Sequence, residues 1–408
     1  AASDVYKRQL EGQLRPIRGA LSMAMQAATD GSQTCFLLPA ENAEEAAVVE
    51  SIQALPIRSL SEAVQWLKGQ LEISPKPAQL KHWYDTYGRD GLDFADVRGQ
   101  DMAKRAVTIA AAGGHNLLMV GPPGSGKTML AKRVRTVLPD LRPEESIETT
   151  RIYSAMGRLK TGQPLMVRRP FRAPHHTISD VGLVGGGRVP TPGEISLAHN
   201  GVLFLDELPE FNRRTLEVMR QPLEEGRVTI SRALRSSTLP ADFILIAALN
   251  PCPCGYRSDP RRPCQCTSPQ IERYMSKVSG PLLDRIDLHI EVPAVQVEDL
   301  EHFKPGTPSH KMRERVLGAR QKQSERFKGD WTQLNAQMSS SDLREHCRLD
   351  PECRRLLATT IERFGLSVRA HDKILKVART IADLENQDVL KCDHIREATH
   401  YRMLDRPL

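Results

Sequence analysis

The amino-acid sequence predicts an α/β protein, in which a mostly parallel sheet is covered by helices and is followed by a C-terminal helical region. The first observation is an apolar segment at 117–120 that leads into a glycine-rich turn and then into a helical pattern at 129–137. Two further apolar segments, 202–205 and 243–249, have the continuous hydrophobic character of strands buried on both faces. From about Ser341 onward, the apolar residues recur at helical spacing instead. These patterns predict a three-layer sandwich with a helical lid.

Length and composition exclude several classes of protein. The chain has 408 residues, enough for two or three domains, and its 40% hydrophobic and 26% charged residues exclude a disordered chain. No stretch approaches the roughly eighteen apolar residues of a membrane-spanning helix. The first residues lack the pattern of a secretory signal, so we expect a cytoplasmic protein without a membrane partner. The net charge of +7 favours a polyanionic partner, but an ordinary soluble surface explains it equally well.

The pattern along the chain predicts five segments. They are a small α/β piece at 1–70, a linker at 71–93, the α/β core at 94–296, a second linker at 297–340 and the helical lid at 341–408. The first piece begins as though something upstream were missing, so we expect a truncated N-terminus. Within the core, a Gly-, Pro- and Arg-rich insert at 168–194 is too long for an ordinary connection and is expected to be functional.

The glycine-rich turn has the spacing G-x-x-x-x-G-K-T between a predicted strand and a predicted helix. In this context backbone N–H groups converge on phosphate oxygens, and the positive end of the helix faces them. Lys127 is expected to reach the β- and γ-phosphates of ATP, and the Thr128 hydroxyl to bind Mg²⁺. The residues expected to bind nucleotide are Gly121, Pro122, Pro123, Gly124, Ser125, Gly126, Lys127 and Thr128.

Two carboxylates, Asp206 and Glu207, follow the apolar strand at 202–205. Since the carboxyl ends of parallel strands meet at one edge of a sheet, both are expected to face the phosphates. Asp206 is expected to hold Mg²⁺ together with Thr128, and Glu207 to polarise the attacking water as a general base. A solvated acidic turn is the alternative for the pair.

Three polar residues further along the chain are candidates for the same site. Asn250 ends the strand at 243–249, where its amide could orient the water or merely cap the turn. Arg285 begins a strand with alternating apolar residues and could reach the nucleotide of a neighbouring subunit, whereas Arg369 opens the last strong helix and could contact the phosphates from the lid. A surface salt bridge is the alternative for both arginines.

Motifs beyond the phosphate loop resemble those of AAA+ ATPases of the magnesium-chelatase-like group. They are Arg169-Pro-Phe-Arg-Ala-Pro-His-His-Thr-Ile-Ser179, Pro192-Gly-Glu-Ile-Ser-Leu-Ala-His199, Leu205-Asp-Glu-Leu-Pro-Glu-Phe211 and Leu282-Leu-Asp-Arg-Ile-Asp287. Within that group, the sequence is similar over about residues 10–408 to the ComM/YifB family.

This resemblance implies a Lon-protease-like N-terminal domain, an AAA+ module with a helical lid, and a hexameric ring. The roles it implies are sensor 1 for Asn250, the arginine finger for Arg285, sensor 2 for Arg369, and a position near the adenine for Val97 and Gln100. The Lon-like part would lack peptidase chemistry, because Leu21 stands where the catalytic Lys is expected and the half with the Ser nucleophile is absent.

In this family the insert at 168–194 and a hairpin at about 226–241 point into the pore of the ring. Their arginines are Arg168, Arg169, Arg172, Arg188, Arg227, Arg232 and Arg235. Such a lining suits the phosphate backbone of single-stranded or branched DNA, bound without reading its sequence. Pairing with carboxylates of the same ring is the alternative. His175 and His176 are expected to diverge to opposite faces, in a structural role rather than a metal site.

Four of the eight cysteines, Cys252, Cys254, Cys264 and Cys266, lie in a polar loop just after Asn250. Four thiolates could complete a tetrahedral zinc site that holds this loop, and reduced free thiols are the alternative. The remaining four, Cys35, Cys347, Cys353 and Cys392, are scattered along the chain and are expected to be buried or inert.

The leading functional hypothesis is an ATP-hydrolysing hexameric motor that migrates branched DNA during recombination of incoming strands in natural transformation. The alternative is the motor subunit of magnesium chelatase, which drives insertion of the metal into a porphyrin. The Lon-like part and the cysteine loop favour the first, because neither is expected in a chelatase motor subunit. A slowly hydrolysing scaffold is a third class, and Glu207 argues against it.

Overall fold

The computed structural model describes most of the chain. The described residues are 12–30, 35–88, 91–160, 162–187, 191–232, 235–257, 259, 262–294 and 306–402.

The strands within the described residues form one five-stranded sheet and three two-stranded sheets. They are β1 (Cys35–Pro39), β2 (Gln53–Ile57), β3 (Leu117–Val120), β4 (Phe171–Arg172), β5 (Gly185–Gly186), β6 (Thr191–Pro192), β7 (Gly201–Leu205), β8 (Arg227–Arg232), β9 (Arg235–Pro240), β10 (Phe243–Leu249) and β11 (Leu288–Glu291).

Helices precede, separate and follow these strands. Those before β7 are α1 (Ala20–Thr29), α2 (Ala43–Ala46), α3 (Leu60–Leu67), α4 (Leu80–Tyr87), α5 (Asp101–Gly113), α6 (Lys127–Val137), α7 (Pro143–Ala155), α8 (Asp180–Val184) and α9 (Glu194–Leu197). Those after β7 are α10 (Arg213–Glu217), α11 (Arg220–Glu225), α12 (Ser268–Met275), α13 (Gly280–Leu283), α14 (Ser309–Arg326), α15 (Ser340–His346), α16 (Pro351–Phe364), α17 (Val368–Leu384) and α18 (Cys392–His400).

The described residues divide into two compact units, one within 1–89 and 140–169 and the other within 90–139 and 170–408. The first unit contains the parallel pair of β1 and β2, with Cys35 opposite Gln53 and Pro39 opposite Ile57. Its packing uses mostly small side chains, and α7 belongs to it although the sequence boundaries placed that helix in the core segment.

Part of the predicted linker at 71–93 is helical. Within it, α4 places Trp83 in a buried cluster with Leu21, Val48 and Leu165. The two prolines in this segment suggested an extended linker, but they lie before the helix and leave its hydrogen bonds intact. Aromatic side chains in a polar stretch therefore marked a packing contact rather than an exposed connection.

The five-stranded sheet of the second unit is parallel throughout, in the order β11, β3, β10, β7 and β4. Alternate residues of each strand face different layers. Leu117 and Met119 of β3 pack with α5, α6 and the C-terminal helices, whereas Leu118 packs on the other face with residues of α8 to α11. The sheet is thus covered on both faces, and the predicted three-layer AAA+ P-loop fold is confirmed.

The C-terminal helices share an apolar core with the sheet. The helical face predicted from Ile374, Val377 and Ile381 is buried along α17. On its other side Asp383 is buried, and the Arg326 guanidinium and the Asn335 amide donate hydrogen bonds to its carboxylate. This pairing compensates the burial of a charge.

The segment 297–340, predicted to be a linker, contains the long helix α14. It packs against α5, α6 and α17 through Met312, Val316 and Ala319. At its start, Ser309 Oγ accepts a hydrogen bond from the Phe94 backbone N–H at 2.8 Å. The apolar residues of this helix are widely spaced among charges, so its buried stripe is weak in the sequence.

Cys353 and Cys392 are distant in the sequence but adjacent in space. Their sulfur atoms lie 2.6 Å apart, where α16 and α18 meet. The sequence did not predict this proximity. Cys347 and Cys353 are buried, as expected, whereas Cys392 is half-buried. None of the helices in the described part of the chain has the length and apolar character needed to cross a membrane.

Candidate nucleotide-binding site

The glycine-rich turn joins β3 to α6, as predicted. Gly126 immediately precedes the helix with φ +89°, in the left-handed region that favours glycine. The loop is anchored to the neighbouring strand by the hydrogen bond from Gly121 N–H to Leu249 O, at 3.2 Å. The backbone N–H groups at the start of α6 therefore face outward at the carboxyl edge of the sheet, where an anion can bind.

The side chain of Lys127 folds back over this loop and is only 8% exposed. Its ammonium group donates hydrogen bonds to the carbonyls of Gly121 at 2.7 Å and Pro122 at 3.0 Å. Burial lowers the pKa of Lys127, and the carboxylates of Asp206 and Glu207 oppose that shift. The group is thus a partly desolvated cation, for which phosphate oxygens are stronger partners than neutral carbonyls.

Asn250 belongs to the same cluster. It follows β10, and its Oδ1 accepts a hydrogen bond from Lys127 Nζ at 3.2 Å. The parallel register of β10 beside β3 explains this, since Leu249 lies opposite Val120 and the residues after both strands emerge side by side.

The predicted magnesium ligands are in contact. Thr128 Oγ1 donates a hydrogen bond to Asp206 Oδ2 at 2.7 Å. A hydroxyl and a carboxylate at this spacing fit a hard cation that prefers oxygen ligands. Asp206 Oδ1 also accepts from the backbone N–H of Glu207 at 3.0 Å, which orients the carboxylate.

Glu207 begins the turn after β7 with φ +53°, which is uncommon for a residue with a side chain. Its side chain is 54% exposed, and one carboxylate oxygen lies 3.4 Å from Nδ1 of His176. The sequence did not identify His176 as a partner of Glu207. The available signal in the sequence is the pair of adjacent histidines in the insert.

The expectation that His175 and His176 diverge is wrong. Their rings lie 4.1 Å apart between centroids, and the His176 ring also meets the edge of Phe211 at 6.4 Å. These residues are in an irregular segment and a turn rather than in paired strands, so the alternation of side chains along a strand does not apply.

The two residues expected near the adenine lie beside the loop. Gln100 Nε2 donates to the carbonyl of Ser125 at 2.7 Å, and its buried Oε1 has no hydrogen-bond partner among the described residues. Val97 is fully buried in the core beneath. An amide held against the phosphate loop with a free oxygen can accept a hydrogen bond from a ligand.

Arg285 and Arg369 lie away from this cluster. Both line a cleft of about 640 Å³ at the amino edge of the sheet, beside Asn116 and Phe243, the residues at the start of β3 and β10. The length of a strand, about 17 Å from Asn116 to Gly121, separates that edge from the phosphate loop. The Arg285 guanidinium forms an ion pair with Glu224. A salt bridge of this kind is the alternative role considered for this arginine.

Two lysines line the same cleft and were missed by sequence reasoning. Lys373 and Lys376 follow Arg369 by four and seven residues, so all three lie on one face of α17. Lys373 Nζ lies 2.7 Å from Asp287 Oδ1. Burial alone would raise the pKa of Asp287, but the charge of Lys373 and the His115 ring, whose Nδ1 lies 3.8 Å from Asp287 Oδ2, hold it well below its usual range. Helical spacing of basic residues was the available signal.

Several arginines of the insert and hairpin are paired within the chain. Arg172 forms a two-point ion pair with Glu194, with one contact at 2.7 Å. Arg169 contacts Glu145 at 3.0 Å, and Arg227 contacts Glu225 at 3.1 Å. For these three, the structure agrees with the pairing alternative. Arg168 is half-buried, Arg188 lies outside the described residues, and the side chains of Arg232 and Arg235 in the hairpin of β8 and β9 are also outside them.

The four cysteines of the polar loop converge. The sulfur atoms of Cys252 and Cys254 are 3.4 Å apart, and each lies 3.6 Å from that of Cys264. The Cys266 sulfur is within 4.8 Å of the other three. A tetrahedral zinc ion with bonds of about 2.3 Å requires sulfurs about 3.8 Å apart, so this spacing fits one ion with little movement.

Comparisons with known proteins agree with the geometry. The family model of the magnesium chelatase subunit ChlI matches residues 93–300, and that of its C-terminal region matches 306–402. The chain is 42% identical over 98% of its length to the uncharacterized protein YifB of Escherichia coli, covering 76% of it. It is 43% identical over 99% of its length to the competence protein ComM of Haemophilus influenzae, covering 78% of it. A weaker match, 29% identical over 39% of the chain and 23% of the relative, is the magnesium-chelatase 67 kDa subunit of Chlorobaculum parvum.

Proposed function

The chain belongs to the magnesium-chelatase-like AAA+ ATPases of the ComM/YifB family, and on this premise we propose that it is a cytoplasmic ATP-hydrolysing motor that acts on DNA. The observation that supports the ATPase most is the convergence of separate strand ends at one edge of the sheet. Lys127, the Thr128–Asp206 pair and Glu207 meet there, and they are the groups that phosphoryl transfer to water requires.

The proposed reaction is attack of water on the γ-phosphate of ATP. Mg²⁺, when bound, neutralises charge on the phosphates, and Thr128 and Asp206 would hold it. Lys127 exchanges its carbonyl partners for β- and γ-phosphate oxygens. Glu207 accepts the proton of the attacking water, and Asn250 orients that water from beside Lys127. The nucleotide base would lie near Val97 and Gln100. The Oε1 atom of Gln100 can accept a hydrogen bond from the base.

Completion of the site requires a neighbouring copy of the chain. Arg285 and Arg369 lie at the opposite edge of the sheet from the phosphate loop, too far to reach a nucleotide bound there. In a ring, however, this edge would face the phosphates of the next subunit. We therefore propose a homo-hexamer in which Arg285 stabilises the transferred charge in the neighbouring site and Arg369 contacts the same phosphates.

The DNA substrate is proposed from two observations. The competence protein ComM matches nearly the whole chain, and the net charge of +7 suits a polyanion such as DNA. To bind a phosphate, each paired arginine would have to release its carboxylate. This costs little for Arg227, whose pair with Glu225 is exposed, and more for Arg169 and Arg172, whose pairs are largely buried. We therefore propose branch migration of single-stranded or branched DNA during recombination of incoming strands.

A four-way-junction assay tests the DNA proposal. We expect the wild-type chain to separate the labelled arms only with ATP and Mg²⁺, and the rate to fall steeply as salt rises, because phosphate contacts release counterions. The matched control is Lys127→Ala, which should bind the junction without separating it. ATP hydrolysis indifferent to branched or single-stranded DNA, with no strand separation at low salt, would contradict the proposal.

The family descriptions favour a second candidate, the motor subunit of a magnesium chelatase. Its substrate would be a protein partner that holds a porphyrin. ATP-dependent insertion of Mg²⁺ into porphyrin by the chain with such a partner, and no effect of DNA on its ATPase, would establish this alternative.

We also propose that the four clustered cysteines hold a structural zinc ion. Metal analysis of purified protein should find about one zinc per chain, and Cys266→Ser should lower that content severalfold because it removes one of four ligands. Cys35→Ser is the control, since Cys35 lies on β1 in the other unit and should leave the zinc content unchanged. Wild-type protein free of zinc after purification without chelators would exclude the site.

A further inference from the structure

The cysteine loop lies directly against the phosphate loop. Gly255, between Cys254 and Tyr256, has φ +85°, and a Cβ added there would lie 2.6 Å from Cδ and 2.8 Å from Cγ of Pro123. Such distances are well inside van der Waals contact, so the backbone of Gly255 touches the ring of Pro123. One side of the phosphate loop is thus supported by the segment that runs from Cys252 to Cys266.

The same loop also begins at a residue of the site. Cys252 follows Asn250 by two residues and is fully buried, and Asn250 hydrogen-bonds Lys127 at 3.2 Å. At the far end, Cys266 lies just before α12, whose start is fixed by the hydrogen bond from the Thr267 backbone N–H to Gln270 Oε1 at 2.9 Å. The four sulfurs therefore connect the end of β10 to the start of α12 across the surface of the phosphate loop.

The described residues of this segment are ordered by isolated turns, by the clustered sulfurs and by the contact of Arg262 with Tyr256. Between β10 and α12 it is longer than ordinary loops and contains neither strand nor helix in its described residues. Its internal backbone bonds are isolated turns, such as Gly255 N–H to Cys252 O at 3.0 Å. Fixing so many residues costs conformational entropy, which a few turn bonds do not offset but four metal–sulfur bonds can.

We propose that a zinc ion on the four cysteines controls the ATP site, by holding Gly255 against Pro123 and Asn250 against Lys127. The inference rests on the proposed ATPase function and deepens it, because it makes nucleotide binding depend on the metal. Each thiol that binds zinc releases its proton to solvent, and removal of the metal by a chelator reverses the step without any oxidant. Gly255 is a positioning residue in this scheme, since it touches the phosphate loop and not the nucleotide.

The size of the expected effect follows from geometry. Without the metal the loop can withdraw from Pro123, and the phosphate loop and Asn250 lose their support. Displacement of a positioning group by about 1 Å reduces rates by up to about 100-fold, so we expect zinc removal to weaken ATP-analogue binding about tenfold and to lower kcat/KM at least as much.

Two arms test the proposal on the full chain. In the first, the wild-type protein is stripped of zinc with a chelator and reloaded with ZnCl₂, and binding of a fluorescent ATP analogue is titrated at each stage. In the second, Gly255→Ala leaves all four thiols in place but inserts a methyl group toward Pro123. Its control is Gly329→Ala, at a matching φ of +90°, where no atom of the described part of the chain lies within 4 Å of the added carbon.

We expect stripping to weaken analogue binding about tenfold and zinc to restore it, with the thermal unfolding midpoint of the reloaded protein recovering in parallel. Gly255→Ala should retain about one zinc per chain and still bind the analogue about tenfold more weakly, whereas Gly329→Ala should match the wild type. A purely structural metal would not produce this separation of zinc content from nucleotide affinity.

Unchanged analogue affinity in zinc-free wild type overturns the proposal, and so does unchanged affinity in zinc-loaded Gly255→Ala. Failure of the function proposed above is distinguishable, because it would appear as absent ATP hydrolysis in the zinc-loaded wild type. If Gly255→Ala does not fold, the strip-and-reload arm decides without it.

Discussion

Glu207→Gln will leave ATP bound and reduce its turnover by about 10²- to 10⁴-fold, the contribution expected of a general base. The amide retains the size of the side chain but cannot accept a proton from the attacking water. Asp206, Thr128 and Lys127 are untouched, so the binding of nucleotide and magnesium should remain. Single-turnover hydrolysis of labelled ATP, together with filter binding of ATP, measures both effects on the same protein.

The matched control is Glu210→Gln, three residues away on the same turn. Glu210 is exposed and pairs with Lys277 at 3.3 Å rather than facing the site. We expect its ATPase rate to equal that of the wild type, because an exposed ion pair contributes little. If Glu207→Gln hydrolyses ATP at the wild-type rate, the residue is not the base and another group must activate the water.

Arg285→Ala will lower the rate of ATP hydrolysis by about 10³- to 10⁵-fold, while leaving ATP binding by the same chain nearly intact. The expectation rests on the proposed assembly. Arg285 lies about a strand length from its own phosphate loop, so in that proposal it acts on a nucleotide held by a neighbour. The ATPase rate and the affinity for a fluorescent ATP analogue, measured on the assembled protein, provide the test.

Mixing two inactive variants sharpens this test. Lys127→Ala removes the phosphate contact but retains Arg285, whereas Arg285→Ala retains the phosphate loop. In mixed assemblies some interfaces combine an intact loop with an intact arginine, so part of the activity should return. No recovery on mixing, or loss of ATP binding equal to the loss of turnover, would place Arg285 within its own subunit's site.

Residues at the ends of parallel strands were predictable from the sequence. The loop at Gly121, the pair Asp206 and Glu207, and Asn250 each follow a continuous apolar strand, and the parallel order of β3, β10 and β7 brings strand ends to one edge. This inference depends on the topology of the sheet and not on the secondary-structure propensity of each residue. Strands that are parallel neighbours place the residues that follow them at the same edge of the sheet.

Contacts between side chains distant in sequence were not predictable in this way. The pairing of Arg172 with Glu194, the proximity of Cys353 to Cys392 and the contact of His176 with Glu207 depend on how loops and helices pack. Packing also explains why both segments expected to be linkers contain helices. Their apolar residues are few, and α4 and α14 become ordered by the surfaces they cover.

The ion pair between Arg285 and Glu224 has a consequence for how the protein assembles. In a single subunit, the Glu224 carboxylate neutralises the Arg285 guanidinium, which stays in this ion pair until a more highly charged anion comes near. A triphosphate presented by an adjoining copy has several negative charges against one and should win that competition. ATP would then be hydrolysed only where two protomers meet around a bound nucleotide. Hydrolysis by unassembled chains would be suppressed.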